Sequence, residues 1–417
     1  MRIKSSHITH RSTCRICGGM KLSRILSLGP TPLANAFLLE HERHLPESYF
    51  PLDVYVCKAC SLVQLIDVVD PRILFKDYVY VSSTSPVFVA HFDTFARQVF
   101  DRFHLSARSL VIDIGSNDGI LLRPFKQLGA RVLGVEPDRS IGTIARKAGV
   151  TTISEFFSLI VARKILKKYG EASIVTATNV FAHVDDIHGL VKGVKHLLTK
   201  NGVFIIEVPY LVDFLEKNLF DTVYHEHLSY FSVTALHYFF EQLGMAIIDV
   251  ERVATHGGSL RVFIARAGST HKKESSVQSF LTSEKKIGLQ EEKIYHEYKK
   301  KIERNKVTLH TLLSKLKEKG NSIAGYGAPA KGNTLLNFFG VGDELLSYIV
   351  DDSHHKQGRY TPGKRIPVVS SEKLKTHPPD YLLIIAWNFA ESIMKKNEEF
   401  RRHGGKFIIP VPSPKII

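Results

Sequence analysis

The sequence predicts an α/β protein: two doubly wound parallel sheets in series, behind a small cysteine-rich module. Three observations carry that expectation. A short apolar run, a glycine turn, a helix-like stretch and a second strand with an acidic tip recur at residues 109–138 and 322–352. All four cysteines fall in two C-x-x-C pairs near the N-terminus. The length, 417 residues, exceeds one ordinary domain of roughly 150 residues, so two or three are expected.

Composition narrows the class. With 44% hydrophobic and 23% charged residues, the chain is neither disordered, nor collagen-like, nor a disulfide-stapled scaffold. No apolar run approaches the ~20 residues that cross a bilayer, and the best, 381–387, has the length of a buried strand. No apolar stretch follows the N-terminal charges, so no secretory signal is expected and the protein reads as cytoplasmic. The 56 Lys plus Arg against 41 Asp plus Glu give +15, which suits an anionic partner: nucleic acid, a membrane surface or a phosphorylated small molecule. The basic residues are scattered, and the local runs at 164–168 and 299–306 fit solvated helix faces.

Cys14, Cys17, Cys57 and Cys60 form two knuckles. In a chain with no secretory signal they read as four thiolates around one zinc ion. Gly18, Gly19 and Ala59 let backbone amides approach the sulfurs. Four sulfurs close the tetrahedron and leave no position for water, so the metal staples its module and does no chemistry.

Residues 109–114 read as a buried strand running into Gly115-Ser-Asn-Asp-Gly119 and then a helix-like 120–128. A second strand at 131–135 ends in Glu136-Pro-Asp138, an acidic tip suited to ribose hydroxyls. A dinucleotide site would carry G-x-G-x-x-G for a pyrophosphate; this loop carries Asp118 and two glycines, which suits a ligand without phosphates. S-adenosylmethionine (SAM) fits, because its sulfonium and amino-acid tail call for carboxylates and backbone groups. The alternation continues with strands at 173–177 and 202–207. Asn179 and His183 follow the first of them, at the sheet edge where open α/β folds bind ligands.

Phe220-Asp-Thr-Val-Tyr224-His225-Glu226-His227 concentrates two imidazoles, a carboxylate and a phenol. Three readings of it stand on the residues alone. A histidine beside a carboxylate can move a proton near neutral pH. Two histidines two apart can share a metal on an extended strand, although no third ligand is evident. Ordinary structural polarity is the third.

Residues 283–319 are charged, helical in period and free of proline, as for a connecting helix or helix pair. A second Rossmann-like unit follows. Ser322-Ile-Ala-Gly-Tyr-Gly327 makes strand and turn, and Ala328-Pro-Ala-Lys331-Gly-Asn-Thr334 opens a helix whose N-terminus resembles a phosphate cradle. Strands at 348–352 and 380–387 complete it.

From Cys14 nearly to the C-terminus the chain resembles the NDP-hexose C-3-methyltransferases, three-domain bacterial enzymes that make branched deoxysugars. The resemblance rests on the knuckles, on Asp-Ile-Gly-Ser-Asn-Asp-Gly at 113–119 and on Gly-Val-Glu-Pro at 134–137. Further motifs are 179–183, Tyr-His-Glu-His at 224–227, His-Gly-Gly-Ser-Leu-Arg at 256–261 and Gly-Tyr-Gly-Ala-Pro-Ala-Lys-Gly-Asn-Thr at 325–334. The segments 356–363 and 386–389 match as well. The resemblance implies a zinc module over 1–67, a class I SAM-binding methyltransferase domain over 68–300 and a Rossmann-like substrate domain over 301–417. It implies that His227 takes a proton from C-3 of a nucleotide-linked 4-keto-6-deoxysugar, with Glu226 tuning it and Tyr224 and His183 holding the sugar or its enolate. Asp113, Gly115, Ser116, Asn117, Asp118, Glu136, Pro137, Asn179 and Tyr78 would hold SAM. Tyr80, His225, Lys331 and Tyr326 would meet the sugar nucleotide, with Lys331 at its diphosphate and thymidine as the usual nucleoside. The product would enter an antibiotic or a surface polysaccharide such as lipopolysaccharide. No nucleic-acid or membrane partner is implied.

An RNA methyltransferase with a zinc module is the rival, since +15 would serve ribosomal RNA. Against it, no arginine-rich stripe with interleaved aromatics is present, and a second Rossmann-like unit has no evident use there. A non-enzymatic scaffold would need a broken cofactor loop, and this loop is intact.

Overall fold

The computed structural model describes residues 7–74, 83 and 86–417. Its centre is a seven-stranded sheet in the order Met245–Val253, Ser259–Arg266, Leu198–Pro209, Ala172–Thr178, Leu110–Ile114, Arg131–Val135, Thr152–Ile153. Only Ser259–Arg266 runs antiparallel to its neighbours. Leu110–Ile114 is buried at every position, as a parallel strand must be when helices cover both faces. Its side chains alternate between two cores: Leu110, Ile112 and Ile114 face helices Leu159–Tyr169 and Ile187–Leu197, while Val111 faces Pro86–Arg102 and Leu122–Gln127. Helix Arg139–Lys147 starts where the Asp138 carboxylate accepts the amides of Ser140 and Ile141.

The N-terminal module is an antiparallel sheet of Leu22–Thr31, Phe50–Cys57 and Val63–Leu65. Its fourth strand, Ser229–Tyr230, comes from the methyltransferase region and pairs Ser229 with Gln64 and Tyr230 with Val63. The two regions therefore share a sheet. The C-terminal sheet orders Val368–Val369, Ile349–Val350, Ile323–Tyr326, Tyr381–Ile384 and Lys406–Ile409 in parallel, with Lys415–Ile416 antiparallel at its edge.

Two helices, Ser275–Ile287 and Glu292–Glu318, connect the sheets. The second is continuous, so a boundary at 300/301 falls inside one helix. Its stripe of Tyr295, Tyr298, Ile302, Leu309, Leu313 and Leu316 packs into the large core that also holds residues of the three sheets described above.

Helix Val233–Gln242, which follows the shared strand, is anchored from outside its own segment. The Glu284 carboxylate is 1% exposed and accepts the amides of Val233 at 2.7 Å and Thr234 at 2.8 Å, plus the Thr234 hydroxyl at 2.6 Å. Replacing Glu284 with Ala strands buried donors and is expected to cost about 2 kcal/mol. Urea unfolding checks this: the midpoint should fall while the denaturant slope holds, and an unmoved midpoint would contradict the anchor.

Candidate active site

The four thiols meet at one point. Every sulfur of Cys14, Cys17, Cys57 and Cys60 lies within 4.8 Å of the others, and the pairs Cys14–Cys60 and Cys17–Cys57 are 3.5 Å apart. A zinc tetrahedron with Zn–S near 2.3 Å has sulfur–sulfur edges of about 3.8 Å, so the set fits the ion. Gly19 donates its amide to the Cys17 sulfur at 3.4 Å, the kind of contact that steadies a thiolate.

The loop after Leu110–Ile114 is shaped to receive a ligand. Gly115 holds φ +69°, and a Cβ there would stand 2.3 Å from a Val180 methyl, so only glycine fits. Asn117 holds φ +47°, and its amide donates to Glu136 at 2.9 Å, which ties the loop to the acidic tip of the next strand. Glu136 also accepts the Asp138 amide at 3.0 Å, yet burial still raises its carboxyl above the usual range. Pro137 lies between these two contacts. Ser116 Oγ, one oxygen of Asp118 and the Asn179 Oδ1 are buried without a protein partner, and together with Glu136 they give the loop a polar lining of the chemistry that SAM calls for. Asp118's other oxygen takes Arg123 at 3.0 Å. Asp113, 2% exposed, accepts the Thr176 hydroxyl at 2.6 Å, and burial pushes its pKa up to about 7.

The second cluster lies at the same sheet edge. Strand Ala172–Thr178 leads through Asn179 into the turn Phe181–His183. The Ala182 carbonyl accepts the amide of Leu228 at 2.8 Å, which brings the 224–227 segment against it. The rings of His183 and His227 stand edge-on with centroids 4.8 Å apart. His227 Nδ1 lies 2.8 Å from the Thr222 carbonyl, and Nε2 lies 2.8 Å from the Tyr224 hydroxyl. A carbonyl can only accept, so Nδ1 carries the proton, and it is Nε2 that holds the lone pair whenever the ring is neutral.

Other expected site residues stand elsewhere. Glu226 was to tune the imidazole, but its carboxylate accepts Asn35 Nδ2 at 2.6 Å, and burial raises its pKa to about 7; the group fixing the histidine is the Thr222 carbonyl. His225 does not line the cluster. It is 1% exposed, bonded to the Phe50 carbonyl at 3.3 Å and packed edge-on to the Phe50 ring, and desolvation lowers its pKa to about 4. Tyr326 is buried in the C-terminal sheet with its hydroxyl on Asp352 at 3.2 Å.

Lys331 stacks over the Trp387 indole at 4.3 Å beside the buried Asp221, whose carboxylate accepts the indole N–H at 2.6 Å. Burial lowers the lysine's pKa, and Asp221 opposes that. Three groups of the expected phosphate cradle have protein partners. Ala328 donates to Asp351 at 2.7 Å, Asn333 to the Ala34 carbonyl at 2.7 Å and Thr334 to the Val223 carbonyl at 3.1 Å. Tyr78 and Tyr80 lie outside the described residues.

Two buried polar partners near the cluster are not apparent from the sequence. Asn35 reaches Glu226 from the N-terminal module, and Glu207, 0% exposed, joins His91 at 2.9 Å and Arg261 at 2.7 Å beneath Asn179. The length of the spacings hid both pairs.

Asp113 and Glu226 keep protons in the ligand-free fold that the unfolded chain releases above roughly pH 4. Their contribution to folding is fully present below that pH and is lost as pH rises through about 7. Stability measured by urea should therefore fall across this window less steeply in Asp113→Asn and Glu226→Gln. Slopes equal to the parent's would show that the two carboxyls titrate normally.

Three family models match in succession: a zinc binding domain over 14–75, a methyltransferase domain over 88–250 and a C-methyltransferase C-terminal domain over 254–412. The chain is 40% identical to C-methyltransferase NovU of Streptomyces niveus over 404 residues, 97% of this chain and 96% of that one. A ubiquinone biosynthesis O-methyltransferase of Rhizobium johnstonii is 27% identical over 127 residues, 29% of this chain and 51% of the other. Among solved structures, the SAH-bound magnesium protoporphyrin IX methyltransferase of Synechocystis PCC 6803 is 16% identical at TM-score 0.35, over 43% of this chain and 83% of its own. With a class I methyltransferase sheet, a fitting SAM loop and identity to NovU along almost its whole length, the chain belongs to the C-methyltransferase family and is a SAM-dependent methyltransferase with a four-cysteine zinc module.

Proposed function

We propose that the protein methylates C-3 of a nucleotide-linked 4-keto-6-deoxyhexose, with a dTDP sugar as the substrate to test first. The observation that carries this reading is the pinned tautomer of His227, whose Nε2 lone pair stands beside the Tyr224 hydroxyl at the edge that holds the SAM loop. C-methylation needs a carbon nucleophile, and a hydrogen next to a ketone is acidic because its loss gives an enolate. His227 Nε2 takes the C-3 proton, and the C–H electron pair moves into the enolate with charge on the C-4 oxygen. The Thr222 carbonyl keeps its bond from Nδ1–H and steadies the imidazolium that forms. For this step Tyr224 has turned its hydroxyl from Nε2 to the C-4 oxygen, which frees the lone pair and meets the developing enolate charge, and His183 borders the sugar. Bound SAM supplies the electrophilic methyl group, which the C-3 carbon takes, leaving S-adenosylhomocysteine.

The net charge of +15 supports an anionic substrate such as a nucleoside diphosphate sugar. In this reading the C-terminal domain closes over the nucleotide, and Lys331 serves the diphosphate by leaving Asp221.

The test is a mass-spectrometric turnover assay with SAM and a panel of dTDP-4-keto-6-deoxyhexoses, with ribosomal RNA in a parallel tube. A methyl group on sugar carbon supports the reading, and methylated RNA with untouched sugars sinks it. His227→Gln should lower turnover by about 10³-fold while calorimetry finds SAM affinity within about twofold. Retained turnover would move the base elsewhere.

A further inference from the structure

We propose that Arg15, inside the first cysteine knuckle, positions the His227 imidazole for proton abstraction, and that the zinc module acts on catalysis through it. The proposal rests on the reading of His227 as the base.

Arg15 is 2% exposed, a burial an arginine tolerates only when its donors are matched. They are matched on two sides. Nη1 donates to the Leu228 carbonyl at 2.9 Å and to Gln64 Oε1 at 3.3 Å, and Nη2 to the Leu65 carbonyl at 3.0 Å. Nε donates to Asp185 at 3.0 Å. The Arg15 backbone amide holds the same Gln64 oxygen at 3.0 Å. Burial pulls the guanidinium's pKa down, and the Asp185 carboxylate works against that.

The partners are the chain just beyond each histidine of the cluster. Leu228 follows His227, and Asp185 lies two residues after His183. Leu228 is further held at its amide by the Ala182 carbonyl at 2.8 Å, and its carbonyl also accepts the Leu65 amide at 3.0 Å. Arg11 adds a second grip on Asp185, at 3.0 Å to each oxygen. One guanidinium thus spans the Tyr224–His227 segment and the His183 turn, and its own backbone is fixed next to Cys14. A metal-filled knuckle holds that backbone still. A reacting group displaced by ~1 Å can lose about 10²-fold in rate, so the fork's geometry enters the chemical step.

A merely structural arginine would cost zinc, SAM binding and turnover together. A positioning arginine costs turnover alone. The variants are Arg15→Gln, Arg15→Lys and, at the half-exposed partner, Asp185→Asn. Zinc per chain, SAM affinity, kcat and KM on a dTDP-4-keto-6-deoxyhexose are measured for each. Nitrogen-15 correlation spectra of labelled histidine follow the His227 tautomer, assigned by the signal missing from His227→Gln.

Arg15→Gln is expected to lower kcat about 10²-fold, with KM and SAM affinity within about threefold and zinc unchanged. Arg15→Lys, which keeps the charge without the fork, recovers part of the rate. In the arginine variants the His227 signal moves from the Nδ1–H form toward a mixture, and stepwise zinc removal by a chelator moves it the same way. Loss of zinc and SAM binding in step with turnover, in Arg15→Lys as well as Arg15→Gln, would overturn the proposal. So would an unmoved His227 signal, or a moved signal with unchanged kcat. Turnover retained in His227→Gln would instead sink the base reading, while the spectra still report whether Arg15 sets the imidazole.

Discussion

The two-residue ladder between Ser229–Tyr230 and Val63–Leu65 is the constraint on which the rest of the molecule depends. An antiparallel pair fixes register, because a slip of one residue turns every side chain to the opposite face. Here the register sets where the chain leaves the site, only two residues after His227. The segment is held at its other end by Phe220, stacked on Phe339 with centroids 4.9 Å apart, and by Thr334 on the Val223 carbonyl. The 220–228 stretch is therefore tied at both ends to the flanking modules, in addition to the Leu228 amide on the Ala182 carbonyl at the edge of the sheet that carries the glycine loop.

Desolvation decides how the charges near that stretch behave. Glu207 and Asp213 are both 0% exposed: burial works to raise the Glu207 carboxyl, but the His91 ring and the Arg261 guanidinium bring it below the usual range, while Asp213 takes a two-pronged Arg252 and Lys217. Asp113 and Glu226 have hydroxyl or amide partners in place of cations, and their carboxyls move toward neutrality. The same burial thus yields two kinds of carboxyl, and the identity of the neighbour separates them.

Much of the fold was legible in the sequence because its signals are local. A buried parallel strand ending in glycine announces itself at Leu110–Ile114 and again at Ile323–Tyr326, and the knuckles announce the zinc cluster. The tip-to-loop bond recurs as well, from Asn117 to Glu136 and from Ala328 to Asp351. Each unit also leaves buried oxygens without a protein partner, Ser116 and Asp118 in the first and Asn333 Oδ1 in the second, and glycine spacing does not tell what either loop receives. His225 and Tyr326 were misread for a related reason. A polar residue within a motif can face the site or the packing, and the choice depends on a partner far along the chain: Phe50 for the histidine and Asp352 for the tyrosine. Arg15, Asn35 and the strand at Ser229–Tyr230 were invisible because each acquires its meaning from residues 190 or so positions away, as between Asn35 and Glu226.

The modules do not share the work as their separate sequence signatures suggest. A closed four-sulfur metal has no open coordination position, and the Ala328 amide at the second glycine loop is already taken by Asp351. Each motif read alone would place chemistry in its own domain. In the folded chain, Asn35 from the first body and Asn333 from the third converge, one on Glu226 and the other on the carbonyl of Ala34 next to Asn35. A proton-transfer site needs a fixed tautomer and a dry boundary, and a single α/β sheet edge opens to solvent on one side. Covering that side takes bodies from outside the sheet. The polar residues of the two flanking modules are best understood as the means by which those bodies are held against the edge.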